Sequence, residues 1–153
     1  MNFEQMELKK LLDDELALLL KSVEVLNYSL NKCHSIGLKN SYSMEELIQF
    51  ESLSGRFART SDILTQKILK TLFMVIQEDA RFFIDRCNLA EKMGLVSSAE
   101  ELYLIRKLRN DIAHEYCLAD ISEIFSPLLK YSETLLRAIE TTNTYIEHLN
   151  VSN

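Results

Sequence analysis

The sequence predicts an all-α fold, an up-and-down bundle of four long helices with a shorter helix inserted, and one domain spanning residues 1–153. Three observations lead to it. Only three Gly and one Pro punctuate the chain, too few for the turns of a β protein. Leu, Glu, Lys and Ile abound in long unbroken stretches, within which apolar residues recur at steps of three and four, the period of an amphipathic helix. At 47% hydrophobic content the chain can also fill a single core.

The first helix is expected from about residue 4 to 35, because Leu8, Leu12, Leu16, Leu19, Val23, Leu26 and Leu30 share one face and Gly37 offers a stop. Leu11, Leu18 and Val25 repeat every seven residues on another side of it. That is more apolar surface than a small monomer usually needs, so this helix is either central or meets a partner subunit. "SMEE" at residues 43–46 has the capping-box form and opens a second helix. Leu47, Phe50, Phe57, Leu64, Ile68, Leu72 and Val75 line it to an end near Glu78, and Gly55 in its middle would permit close approach of another helix. "DARFFIDRCNLAEKMG" reads as the short helix, closed by Gly94. "SAEE" at residues 98–101 is a second capping box, and "DISE" at residues 120–123 starts a last helix through Leu128, Leu135, Ile139 and Ile146, with Pro127 in its first turns.

A formal charge of −6 provides no global field to attract nucleic acid or an anionic membrane, so such a role needs a local basic site. Cys33, Cys87 and Cys117 are odd in number and lack C-x-x-C spacing, which argues against a disulfide framework or a zinc knuckle. The longest apolar runs, "LALLL" and "LFMVI", are too short to span a bilayer, and "MNFEQMELKK" lacks a signal-peptide pattern. A cytoplasmic protein with reduced thiols and no membrane contact is expected.

One stretch is too polar for packing alone. In "RKLRNDIAHEY", residues 106–116, a helix continuing from Ser98 buries Leu102, Ile105, Leu108 and Ile112. Arg109 and Tyr116 then fall within about 20° of each other on that stripe, with Tyr103, Arg106, Asn110 and His114 on the next. A guanidinium in a leucine's place needs a carboxylate partner or a wet cleft. The plainer expectation is an Arg109 paired with an acid of a neighbouring helix, a partly exposed His114 and a core Tyr116 with a wet hydroxyl.

Arg109, Asn110 and His114 resemble the signature of the HEPN superfamily: Arg, a polar residue, three or more residues and His. Tyr116 extends the match to an R-x4-H-x-Y form similar to that of HEPN toxins paired with minimal nucleotidyltransferase antitoxins. "GLVSSAEELYLIRKLRN" is similar to the segment preceding this motif in the nucleotidyltransferase substrate-binding branch, and "RFARTSD" supplies the Arg56, Phe57 and Asp62 typical of the second helix there. Arg59, Thr60 and Ser61 depart from that branch, which tends to be aromatic between the Phe and the acid.

The resemblance implies a metal-independent, cofactor-free ribonuclease acting as a homodimer, with the motifs of two subunits facing one cleft. Arg109, Asn110 and His114 would be catalytic. Tyr116 would contact RNA or accept AMP from a nucleotidyltransferase antitoxin, and Arg106, Lys107, Arg56 and Asp62 would support the site. The residue types suit that chemistry: an imidazole can move a proton near neutral pH, and a guanidinium can bind the negative charge of a phosphorane. The alternative is a non-catalytic substrate-binding subunit of a nucleotidyltransferase complex.

Overall fold

The computed structural model describes residues 2–114 and 121–152, and every regular element in them is helical. Helix α1 runs Phe3–Ile36; a second rod comprises α2 (Met44–Asp62), a π-helical segment (Ile63–Ile68) and α3 (Leu69–Val75). Helices α4 (Phe83–Lys92) and α5 (Ala99–Ala113) follow, then a 3-10 turn (Ile121–Ile124) and α6 (Phe125–Ser152). The rod α2–α3 folds back along α1, α5 lies against α2 and α4, and α6 packs on α1, α2 and α5. The all-α bundle with a shorter inserted helix is as expected, α4 being the inserted member.

Local chemistry accounts for most of the boundaries. Gly37 closes α1 at φ 74°, donating its N–H to the Cys33 carbonyl, and Gly94 follows α4 at φ 76°. Both positions need the left-handed backbone that glycine adopts cheaply. The Ser43 hydroxyl accepts the Glu46 N–H while the Glu46 carboxylate accepts the Ser43 N–H, a complete capping box. Ser98 departs from expectation: its side chain caps nothing, and Glu91 of α4 instead accepts the Ala99 N–H at 2.7 Å. Gly55 also differs: it is exposed, and a Cβ at this position would meet nothing within 4 Å, so no helix approaches it. The 3-10 turn precedes α6, placing Pro127 in the first turn of that helix, and Asp120 lies outside the described residues.

The core contains Leu12, Leu19 and Leu26 of α1, all essentially fully buried. At one end Phe50 stacks on Phe125, with centroids 4.1 Å apart and planes at 8°, and Tyr42 meets both rings edge-on. Cys33 and Cys87 are buried free thiols whose pKa values burial pushes up to about 11, and Cys117 lies outside the described residues. Among the described residues no helix is long and apolar enough to cross a membrane.

The second rod holds one irregularity that the apolar spacing did not disclose. Across Ile63–Ile68 the backbone takes a π turn, where the Leu69 N–H reaches back five residues to the Leu64 carbonyl. The Thr65 hydroxyl donates to the Ser61 carbonyl at 2.9 Å, supplying that carbonyl with a side-chain donor within the turn. A π turn absorbs an extra residue, and the buried face changes from Phe50, Leu53, Phe57, Thr60 and Ser61 to Leu64, Thr65, Ile68, Leu69 and Leu72. The rod ends at Val75, three residues short of Glu78.

Candidate functional site

The π turn lies opposite the most polar part of α5. Arg109 crosses to Asp62 at the end of α2 with both donors in place, Nε to Oδ1 at 2.9 Å and Nη2 to Oδ2 at 2.9 Å. This fork-to-fork geometry is the strong form of the Arg–carboxylate contact, and the hydrogen bonds to Asp62 hold the Arg109 pKa above its ordinary value. The plainer expectation for Arg109, a carboxylate on a neighbouring helix, is therefore met. The pair is not sealed, however. The Arg109 and Asp62 side chains remain 30% and 38% exposed, so neither stands in a dry core.

Both residues line a groove of about 600 Å³ between α1, the π-bearing rod and α5. Leu18 and Ile63 form its apolar part; Arg59, Asp62, Gln66, Lys67, Arg106, Arg109 and Asn110 form the rest. Four cationic side chains thus face one carboxylate, on a chain whose formal charge is −6. Such local concentration of one sign makes an anion site independent of net charge. Beneath it the buried Arg86 donates from Nη2 to Gln66 Oε1 and from Nη1 to the Arg81 carbonyl, and its burial lowers its pKa below the ordinary value. The Ser61 hydroxyl just before the turn and the Gln66 amide nitrogen within it are buried without hydrogen-bond partners among the described residues. Each such group costs about 1–3 kcal/mol, so this segment is polar at the expense of stability.

Asn110 is exposed and lines the groove, and Arg106 shares the groove with a contact to Phe83. His114 stands one residue past the end of α5, exposed, its N–H donated to the Asn110 and Asp111 carbonyls. It is therefore the residue that terminates α5, four positions on from Asn110. Lys107 points to solvent and pairs with Asp111 at 3.3 Å, and Arg56 is exposed on α2; neither lines the groove. Tyr116 lies outside the described residues, and so does its expected alignment with Arg109. Lys67 escaped the sequence reading, and Arg59 entered it only as a departure from a pattern. Their eight-residue separation along one helix was the available signal, though the π turn between them hides which face they share.

Among the described residues no three His, Cys, Asp or Glu side chains cluster as metal ligands would. What the fold and site define is a helical bundle with a basic, partly apolar groove organised around an Arg–Asp pair. No family model, curated protein or solved structure matches the chain.

Proposed function

We propose that the chain is a metal-independent ribonuclease of the HEPN kind, a toxin neutralised by a nucleotidyltransferase antitoxin. The observation that carries this reading is the groove itself, in which Arg59, Lys67, Arg106 and Arg109 surround space for a polyanion beside Asn110, with His114 at the end of the same helix. Asp62 fixes the Arg109 guanidinium through two of its donors, leaving the others to meet a phosphate oxygen.

In the reaction a base removes the proton of a 2′-hydroxyl, whose oxygen attacks the adjacent phosphorus. The P–O5′ bond breaks, and the departing 5′ oxygen takes a proton, leaving a 2′,3′-cyclic phosphate and a 5′-hydroxyl. No water or electron is consumed. His114 is the group suited to moving the proton, and Arg109 to stabilising the phosphorane charge. In this reading the active form is a homodimer. Leu11 and Val25 of α1, 48% and 37% exposed, supply apolar surface in line with Leu18, which lines the groove. Transfer of AMP onto Tyr116 by the partner would place fixed negative charge where RNA phosphate must bind.

The Asp62–Arg109 pairing favours one second reading. An arginine whose two best-placed donors already serve a carboxylate suits a structural role, as in a non-catalytic substrate-binding subunit of a nucleotidyltransferase complex. Expression of the chain alone in a bacterial host separates the two. The toxin reading predicts growth arrest with RNA cleavage, relieved by a co-expressed nucleotidyltransferase that adds mass to the Tyr116 peptide. Harmless expression of the unmodified chain would leave only the binding subunit.

A further inference from the structure

At the Arg106 end of the groove the cationic lining gives way to aromatic surface. Arg106 lies over the Phe83 ring, its guanidinium carbon 4.9 Å from the centroid, and Phe83 in turn sits 6.2 Å from Tyr103 with the planes tilted at 58°. Tyr103 is 37% exposed, one helical turn before Arg106 and about 9 Å along the axis from Arg109. Phe82 and Ile84, flanking Phe83 at the start of α4, are 66% and 57% exposed. Rings and cation therefore form a ladder from Tyr103 through Phe83 to Arg106, whose last member belongs to the groove.

We propose that this ladder is a nucleobase-stacking subsite and that the groove consequently takes single-stranded RNA in preference to a duplex. The inference rests on the ribonuclease reading and specifies how its substrate is held. Charge supplies the occupant: the cations select a polyanion, and an exposed ring beside them offers a face on which an unstacked base can lie. In an A-form duplex the base faces are covered by their neighbours, so a ring at the groove's end gains nothing from double-stranded RNA. A peptide of Asp and Glu would answer the cations but would have no aromatic face to stack on Tyr103.

The test uses the full chain carrying His114→Ala, which keeps the RNA intact, and a short fluorescein-labelled oligoadenylate read by anisotropy. Adding Tyr103→Ala is expected to weaken binding by about five- to tenfold, at the lower end of what removing a stacking aromatic costs. Tyr103→Leu, which keeps an apolar side chain against Phe83, should weaken it equally, and Tyr103→Phe should restore it. On an abasic strand of the same length all four proteins should bind alike. Three results overturn the inference: an unchanged affinity in Tyr103→Ala while Arg109→Ala weakens binding, equal binding of a duplex, or a Tyr103-dependent preference for polyglutamate over RNA. The first of these leaves the ribonuclease reading standing; absence of RNA binding in every protein removes both.

Discussion

His114→Ala is expected to slow cleavage of single-stranded RNA by roughly 10²–10⁴-fold, the usual contribution of a positioned acid or base, while leaving RNA affinity nearly unchanged. His114 follows the last residue of α5, and its helix-terminating backbone bonds to the Asn110 and Asp111 carbonyls survive any substitution that keeps the N–H. Its side chain is exposed, and the melting temperature of the variant is measured beside its rate. A rate lost without a change in melting temperature then reports chemistry. Arg109→Ala is less clean, because it strips the half-buried Asp62 carboxylate of both its hydrogen bonds and so mixes folding with catalysis. The comparison is made with purified protein in chelator; a His114→Ala chain that cleaves at the wild-type rate would dismiss the imidazole from the reaction.

Phe50→Ala is expected to have the largest effect on stability, about 3–5 kcal/mol, which for a chain of this size lowers the melting temperature by about 6–20 °C. Phe50 is fully buried, stacks on Phe125 at 4.1 Å and receives the edge of Tyr42 at 5.6 Å. Removing its ring leaves a hole between the start of α2 and the start of α6 and also withdraws the aromatic pairing, worth about 0.5–1.5 kcal/mol beyond area. The connection after α1 and the start of α2 are joined here to α6, about 75 residues further along the chain. Phe50→Leu should lose less than half as much. Denaturation in urea measures both, and a loss under about 1 kcal/mol for the alanine variant, below the range for emptying a buried aromatic site, would mean that the aromatic cluster does not hold these helices together.

Features set by neighbouring residues were legible in the sequence. The Leu12, Leu19 and Leu26 face, the Ser43 capping box and the left-handed Gly37 and Gly94 all follow from residues within a turn or two of one another. Features decided across the chain were not. Ser98 makes no side-chain cap, and the first amide of α5, that of Ala99, is met by Glu91 of another helix. The π turn falls where the rod packs on α1, and regular spacing of Leu64, Ile68 and Leu72 conceals it. The site divides in the same way. A helical wheel singled out Arg109 as needing a carboxylate or a cleft, and the structure gives it both, with an Asp62 that lies 47 residues away. The helix reaches His114 as its terminating residue, and a one-helix wheel had no means of bringing Arg59 and Lys67 to the same groove.

The central claim is that this groove holds the phosphates of an RNA strand, and the salt dependence of binding tests it most directly. With the His114→Ala chain and single-stranded RNA, the logarithm of the affinity should fall with the logarithm of salt concentration at a slope of about −3, roughly 0.7 for each of the four groove cations. Lys67→Ala or Arg59→Ala should each make that slope shallower by about 0.7, whereas Lys32→Ala, about 21 Å along α1 from Leu18, should not. Absence of binding at low salt, or a slope that ignores Lys67 and Arg59, would contradict the account.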